Sequence, residues 1–280
     1  MKFIRFLTDT STVPLIGILH DDGYAEPIDG DLFGTWHTTG RRIRVAKLLA
    51  PLQPPVILAI GLNFREHAHE TKQPIPEYPV LFMKNPWGIQ NPGDPIIIPT
   101  HLPSTQVDYE AELVVILGKT CKNASRENAL EHVFGYTCGN DVTARDWQKN
   151  FGGNQWCRGK SFDTFAPLGP CIVTKDEIPN PQDLALKAMV NGETRQCSNT
   201  SDHIFSVIDL IVFLSGSTTL PTGTAIFTGT PPGAGFARTP PVYLAPGDTV
   251  TVAIDGIGEL TNPVILETQV HRETNAFGQE

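Results

Sequence analysis

The chain has 280 residues, 40% hydrophobic and 18% charged, enough to bury a core in one large domain or two smaller ones. A net charge of −9 excludes a nucleic-acid partner unless a basic stripe overcomes it, and the best run, Arg41-Arg42-Ile43-Arg44 with Lys47, reads as an exposed helix face. With 24 Pro and 25 Gly the chain turns too often for a helical bundle.

The five cysteines are scattered and form no C-x-x-C pair, which argues against a disulfide scaffold or zinc knuckle and for a reducing compartment. No secretory apolar region follows Met1, and no stretch approaches the roughly 20 apolar residues of a membrane span. The expectation is a cytoplasmic protein that does not bind membrane.

Residues 1–53 read as a small N-terminal α/β unit, with strand signals at 2–7 and 14–19 and a helical stretch at 43–49. The segment PLQPP at 51–55 reads as a linker. Residues 54–280 read as one larger, mainly β unit, so the expected fold class is α+β. Its first strand, 56–60, leads into GLNFREHAHE at 61–70, where a helix is expected over 64–71. On a helix His67 and Glu70 share a face, so the carboxylate orients the imidazole and raises its basicity, a pair suited to general-base work. The rival reading, zinc on His67 and His69, fails because residues two apart diverge on a helix and the H-E-x-x-H spacing is absent.

Strands at 81–84 and 96–98 precede the informative segment VDYEAELVVIL at 107–117. Its β-branched and aliphatic run marks a strand over 109–117, on which Glu110 and Glu112 point the same way. Carboxylates about 6–7 Å apart repel by roughly 2–3 kcal/mol at an effective dielectric near 20, and a cation relieves that. Hard oxygen ligands select magnesium, manganese or calcium. The bland alternative is a solvated edge face. After a helix at 126–131, the strand 134–140 delivers Asp141 at its end, followed by the polar run VTARDWQ at 142–148. Asp141 reads as a third ligand or as a turn cap.

Further along, Lys160 stands between Gly159 and Ser161, able to hold a substrate carboxylate or an enolate if partly buried. Strands follow at 171–174 and 186–190, then a helix at 204–215 closed by Gly216. The strand 225–228 opens into TGTPPGAG, a Gly/Pro loop whose N–H groups and threonines could grip a carboxylate; it is neither a Walker loop nor a dinucleotide fingerprint. Pro246-Gly247-Asp248 and Asp255-Gly256 punctuate final strands at 249–254 and 260–264. Neither Ser161 nor Cys138 has a nucleophile elbow around it.

Five of these stretches, GLNFREHAHE at 61, VDYEAEL at 107, NDVTARDWQ at 140, GKSFDTFAPLGP at 159 and FTGTPPGAG at 227, together resemble the fumarylacetoacetate hydrolase family, in the family's order. The resemblance runs from about 54 to 264 and is closest to the family's "domain-containing protein 2" subgroup. It implies a mixed β-roll core, a homodimer, and Mg²⁺ or Mn²⁺ held by Glu110, Glu112 and Asp141. It also implies a His67–Glu70 dyad on a helix that orders over the substrate, a catalytic Lys160, and substrate contacts from Arg145, Gln148 and Thr230. Leu62 stands where several relatives carry Arg, and the long N-terminal region of fumarylacetoacetate hydrolase itself is absent. The function expected is metal-dependent action on a small 2-oxo acid through a cation-stabilised enolate, as an acylpyruvate-type C–C hydrolase, or alternatively as an oxaloacetate tautomerase or decarboxylase. A non-catalytic, metal-stabilised binding protein is a remote alternative that the dyad and Lys160 disfavour.

Overall fold

Aliphatic and β-branched runs cut by Pro and Gly turns fold into two main sheets in the structure, a computed structural model that describes residues 1–269; the end of the 54–280 unit lies outside the described residues. The larger sheet is thirteen-stranded, and its main path crosses Lys2–Thr8, Ala166–Thr174, Val133–Asn140, Ala111–Leu117, Ala225–Phe227, Ile57–Gly61 and Val80–Lys84 in that order. The Ala111–Leu117 strand is buried along its whole length, which fits its unbroken aliphatic run. Ala185–Val190 and Thr249–Ile254, in the five-stranded sheet, instead alternate buried and more exposed positions, with one face on the core. The chain is mainly β with few helices, as the α+β reading has it, and among the described residues no helix is long and apolar enough to cross a membrane.

Three local expectations are corrected. Residues 43–49 form two short strands, Ile43–Arg44 and Lys47–Leu49, and no helix lies within 1–53. A seven-residue helix is marginal alone. Here Lys47–Leu49 finds ladder partners in Arg5–Leu7, and Ile43–Arg44 pairs with Tyr24 and Ala25. The helix expected over 126–131 shrinks to one 3₁₀ turn at Ala129–His132; the Asn128 side chain accepts the Ser125 N–H and competes with helical bonding before it. The strand expected over 109–117 breaks at its start. Val107–Asp108 pairs with Thr143–Ala144, and Tyr109 and Glu110 leave the ladder, their N–H groups taken by the Asp108 and Asn140 side chains at 2.9 and 3.0 Å.

Register places the site. Ala111 lies opposite Asn140, Val114 opposite Phe227, and Phe227 beside Ala59 in a parallel pair. The start of one strand and the ends of three others therefore meet at one edge of the sheet, where loops carry the polar motifs. The outer strand Val80–Lys84 turns Phe82 and Lys84 inward and leaves Leu81 and Met83 exposed. Lys84 reaches Asp141 from three strands beyond Ala111–Leu117, so the sheet curls as a roll does.

Candidate active site

Glu110, Glu112 and Asp141 converge, each offering an oxygen within 4.8 Å of the others, all buried. The solvated-edge alternative for the Glu pair is thereby excluded: Glu110 is 5% exposed and Glu112 1%. With Asp108 they make four buried carboxylates facing three buried cations. Lys160 Nζ bridges Glu110 Oε2 and Asp141 Oδ2, both at 2.6 Å. Arg145 holds Glu110 at 2.6 Å and Asp108 at 2.8 Å, and Lys84 bonds Asp141 and the Val142 carbonyl. Burial would raise the Glu110 pKa, but Lys160 and Arg145 outweigh it and hold the group well below the usual carboxylate range. Burial also opposes the Lys160 charge, yet Asp141 and Glu110 push its pKa up.

Glu112 differs. No cation lies within salt-bridge distance among the described residues, and its recorded partner is the Gly229 N–H at 2.7 Å. Burial, then the charges of Asp141 and Glu110, raise its pKa well above the ordinary value. A surplus acid in an oxygen-only cluster with three convergent carboxylates fits a hard divalent cation such as Mg²⁺ or Mn²⁺.

Across from this cluster stands the Arg65–Glu70 helix. His67 Nδ1 lies 3.0 Å from Glu70 Oε2, and Glu70 also accepts the Gly233 N–H at 3.0 and 3.2 Å. Nε2 has no protein partner among the described residues, which leaves it to a ligand. The helix is pinned at its start by Asn63, whose amide donates to the carbonyls of Phe205 and Thr228 and accepts the Phe205 N–H. Gly229 packs against that residue at φ +101°; a Cβ there would sit 2.7 Å from the Asn63 Cβ. Buried His203 meets Phe64 edge to face at 4.6 Å, and burial with the nearby Arg65 pushes its pKa down to about 3, so it props the helix as a neutral group.

Every expected site residue except Asp141 lines one cavity of about 580 Å³; Asp141 sits behind it, fully buried. Arg145 donates to Gln148 at 3.1 Å, and Thr230 is fixed between the Ala111 carbonyl at 3.1 Å and the Gln196 amide at 2.8 Å. One wall is apolar: the Trp156 ring lies so close over Gly61 that a Cβ there would meet it at 2.2 Å, and Phe82 packs on Trp156 at 5.6 Å. Sequence reasoning did not find Lys84, Asp108 or Asn63. The signal for Lys84 was its place two residues from Phe82 on the buried face of a strand; for Asp108 it was an acid between Val107 and Tyr109.

Residues 56–265 match the family described as "Fumarylacetoacetate (FAA) hydrolase C-terminal", and residues 1–51 match "Rv2993c-like, N-terminal". The chain is 47% identical over 219 residues to a mitochondrial oxaloacetate tautomerase of Xenopus laevis, covering 78% of this chain and 68% of that protein. It is 46% identical over 235 residues to the fumarylacetoacetate hydrolase domain-containing protein 2 homolog of Dictyostelium discoideum, covering 80% and 76%. Among solved structures, the 5-carboxymethyl-2-hydroxymuconate delta-isomerase from Mycobacterium smegmatis superposes with TM-score 0.84 at 36% identity, covering 95% of this chain and 100% of that one.

Proposed function

This chain belongs to the fumarylacetoacetate hydrolase family, and on that premise we propose that it is an Mg²⁺- or Mn²⁺-dependent tautomerase of oxaloacetate or a similar small 2-oxo acid. The observation that carries the reading is the His67–Glu70 pair facing the carboxylate and lysine cluster across one cavity. Glu110, Glu112 and Asp141 would hold the cation, which when bound supplies positive charge that favours an enolate over a ketone. In this reading Glu70 accepts from Nδ1–H, and Nε2 is the basic nitrogen that takes the proton from carbon 3 of the substrate. Glu70 stabilises the imidazolium that results. Lys160, Arg145, Gln148 and Thr230 line the same space and orient the substrate oxygens, and Lys160 opposes the charge that develops on the 2-oxygen. His67 then returns its proton to that oxygen, which completes the keto-to-enol exchange.

Mixing the purified chain and Mg²⁺ with enol-oxaloacetate, and following loss of the enol absorbance, tests this. We expect acceleration over buffer, cut about 100-fold or more in His67→Ala with Mg²⁺ affinity unchanged. An uncatalysed rate with the intact chain overturns the reading. A second reading, hydrolysis of the C–C bond of an acylpyruvate, is favoured by the cavity volume, which leaves room beside a four-carbon acid for an acyl group and a water. Acetylpyruvate in the same assay distinguishes the two. We also propose a homodimer, supported by the family and by the outer strand that exposes Leu81 and Met83; a monomer mass by light scattering rejects it.

A further inference from the structure

Three cations line the cavity, and two of them, which the reading above assigns to the 2-oxo acid group, already have carboxylate partners. Lys160 is bonded to Glu110 and Asp141, and Arg145 to Asp108 and Glu110. The third, Lys149, is different. It sits on the rim in the π-helical segment Trp147–Phe151, and among the described residues it has neither a carboxylate within salt-bridge distance nor a hydrogen-bond acceptor. Lys149 is exposed, and its ammonium lies 4.0 Å from the centre of the Phe236 ring, whose other cation is Arg145 at 4.1 Å. Arg145 is already paired with Asp108 and Glu110, so of the two cations on this ring Lys149 is the one without a bonded anion among the described residues. Burial, then Arg145, lowers the Lys149 pKa, against the opposing pull of the Asp108 and Glu110 carboxylates. Trp156, Phe82 and Leu62 form an apolar part of the lining, whose nearest cation, Lys160 Nζ at 4.8 Å from the Phe82 ring, already bonds Glu110 and Asp141.

We propose that Lys149 receives a second carboxylate, remote from the 2-oxo acid group, so that the preferred substrates are 2-oxo dicarboxylates rather than 2-oxo acids with an apolar tail. The inference rests on the 2-oxo acid reading above and adds to it a specificity residue. A basic rim facing an apolar wall sorts ligands by tail: a charged end pairs with Lys149, and an alkyl end has only the wall. The cavity is too roomy for wall contacts alone to select a short acid, which leaves the discrimination to charge.

The test is binding, read by calorimetry on the full chain with saturating Mg²⁺, with oxaloacetate added as its equilibrated keto–enol mixture so that no net turnover contributes heat. Two ligand pairs differ only by the distal carboxylate: oxaloacetate against 2-oxobutyrate, and 2-oxoglutarate against 2-oxopentanoate. Oxalate, which has the chelating head and no tail, reports the rest of the site. The intact chain is expected to bind the dicarboxylate of at least one pair about tenfold more tightly than its partner. Lys149→Met is expected to erase that preference, Lys149→Arg to keep most of it, and oxalate affinity to stay within about twofold in all three proteins. A preference that survives in Lys149→Met overturns the proposal, as does an intact chain that binds both members of both pairs alike. Failure of the intact chain to bind oxalate at all overturns the 2-oxo acid reading itself, and the role of Lys149 with it.

Discussion

On the proposed metal reading, Glu112 is the carboxylate in the cluster that the cation completes, because Lys84, Arg145 and Lys160 bond its neighbours. Glu112→Gln keeps the shape and an oxygen to accept the Gly229 N–H, and removes a charge that Asp141 and Glu110 repel. In chelator the variant is therefore expected to be more stable, by on the order of 1 kcal/mol or about 2–4 °C in Tm. Its Mg²⁺ affinity is expected to fall about 100-fold, since a neutral amide replaces one of three anionic ligands. Calorimetry that finds the affinity unchanged sinks the ligand assignment. Alternation over the expected strand 109–117 anticipated the pairing of Glu110 with Glu112, although Glu110 lies just before the observed strand Ala111–Leu117, and Asp141 was legible as the residue that strand 134–140 delivers. Lys84 was not. Its partner Asp141 lies 57 residues on, and only the curl of the sheet brings the two together.

At the scale of elements, the dyad helix owes its position to bonds that begin just before it. Asn63 ties the end of Ile57–Gly61 to the Phe205 segment and to the Thr228 carbonyl. Asn63→Ala leaves the buried Thr228 carbonyl and the half-buried Phe205 carbonyl and N–H without that partner, at a cost of about 1–3 kcal/mol. It also loosens His67 relative to the cluster, so kcat is expected to fall about tenfold or more while Mg²⁺ affinity holds. Urea unfolding and steady-state kinetics read the two effects separately, and a variant that is destabilised with full kcat denies Asn63 a positioning role. The helix itself was visible as a polar run after a buried strand, with observed bounds Arg65–Glu70 inside the expected 64–71. Its anchor was not visible, because Asn63 and Phe205 are 142 residues apart and the local pattern carries no trace of the pairing. The same distance effect hid the fate of 43–49, where a long-range ladder with Arg5–Leu7 outweighs a local helical pattern.

For the whole molecule, the proposed metal reading predicts that the cluster couples folding to pH and to metal, with a sign that follows from two opposed carboxylates. Glu110 has a folded pKa far below its ordinary 4.5, because Lys160 and Arg145 outweigh burial, so its contribution is present above that value and lost as pH falls through the folded one. Glu112 is raised by burial, Asp141 and Glu110, so its contribution is present below 4.5 and lost as pH rises through its elevated folded pKa. The metal-free chain thus loses stability on the alkaline side as Glu112 is forced to ionise beside two other acids. A bound cation requires that same ionised form, so metal and proton compete for Glu112. The expected outcome is a Tm gain on adding Mg²⁺ that is small near pH 5, grows as pH climbs through the raised pKa, and levels off above it. Paired thermal melts in Mg²⁺ and in chelator, from about pH 5 to about pH 8, measure the gain, and the growth is expected to vanish in Glu112→Gln. A gain that is flat with pH, or that shrinks as pH rises, places the linkage on some other group and removes Glu112 from the centre of the cluster.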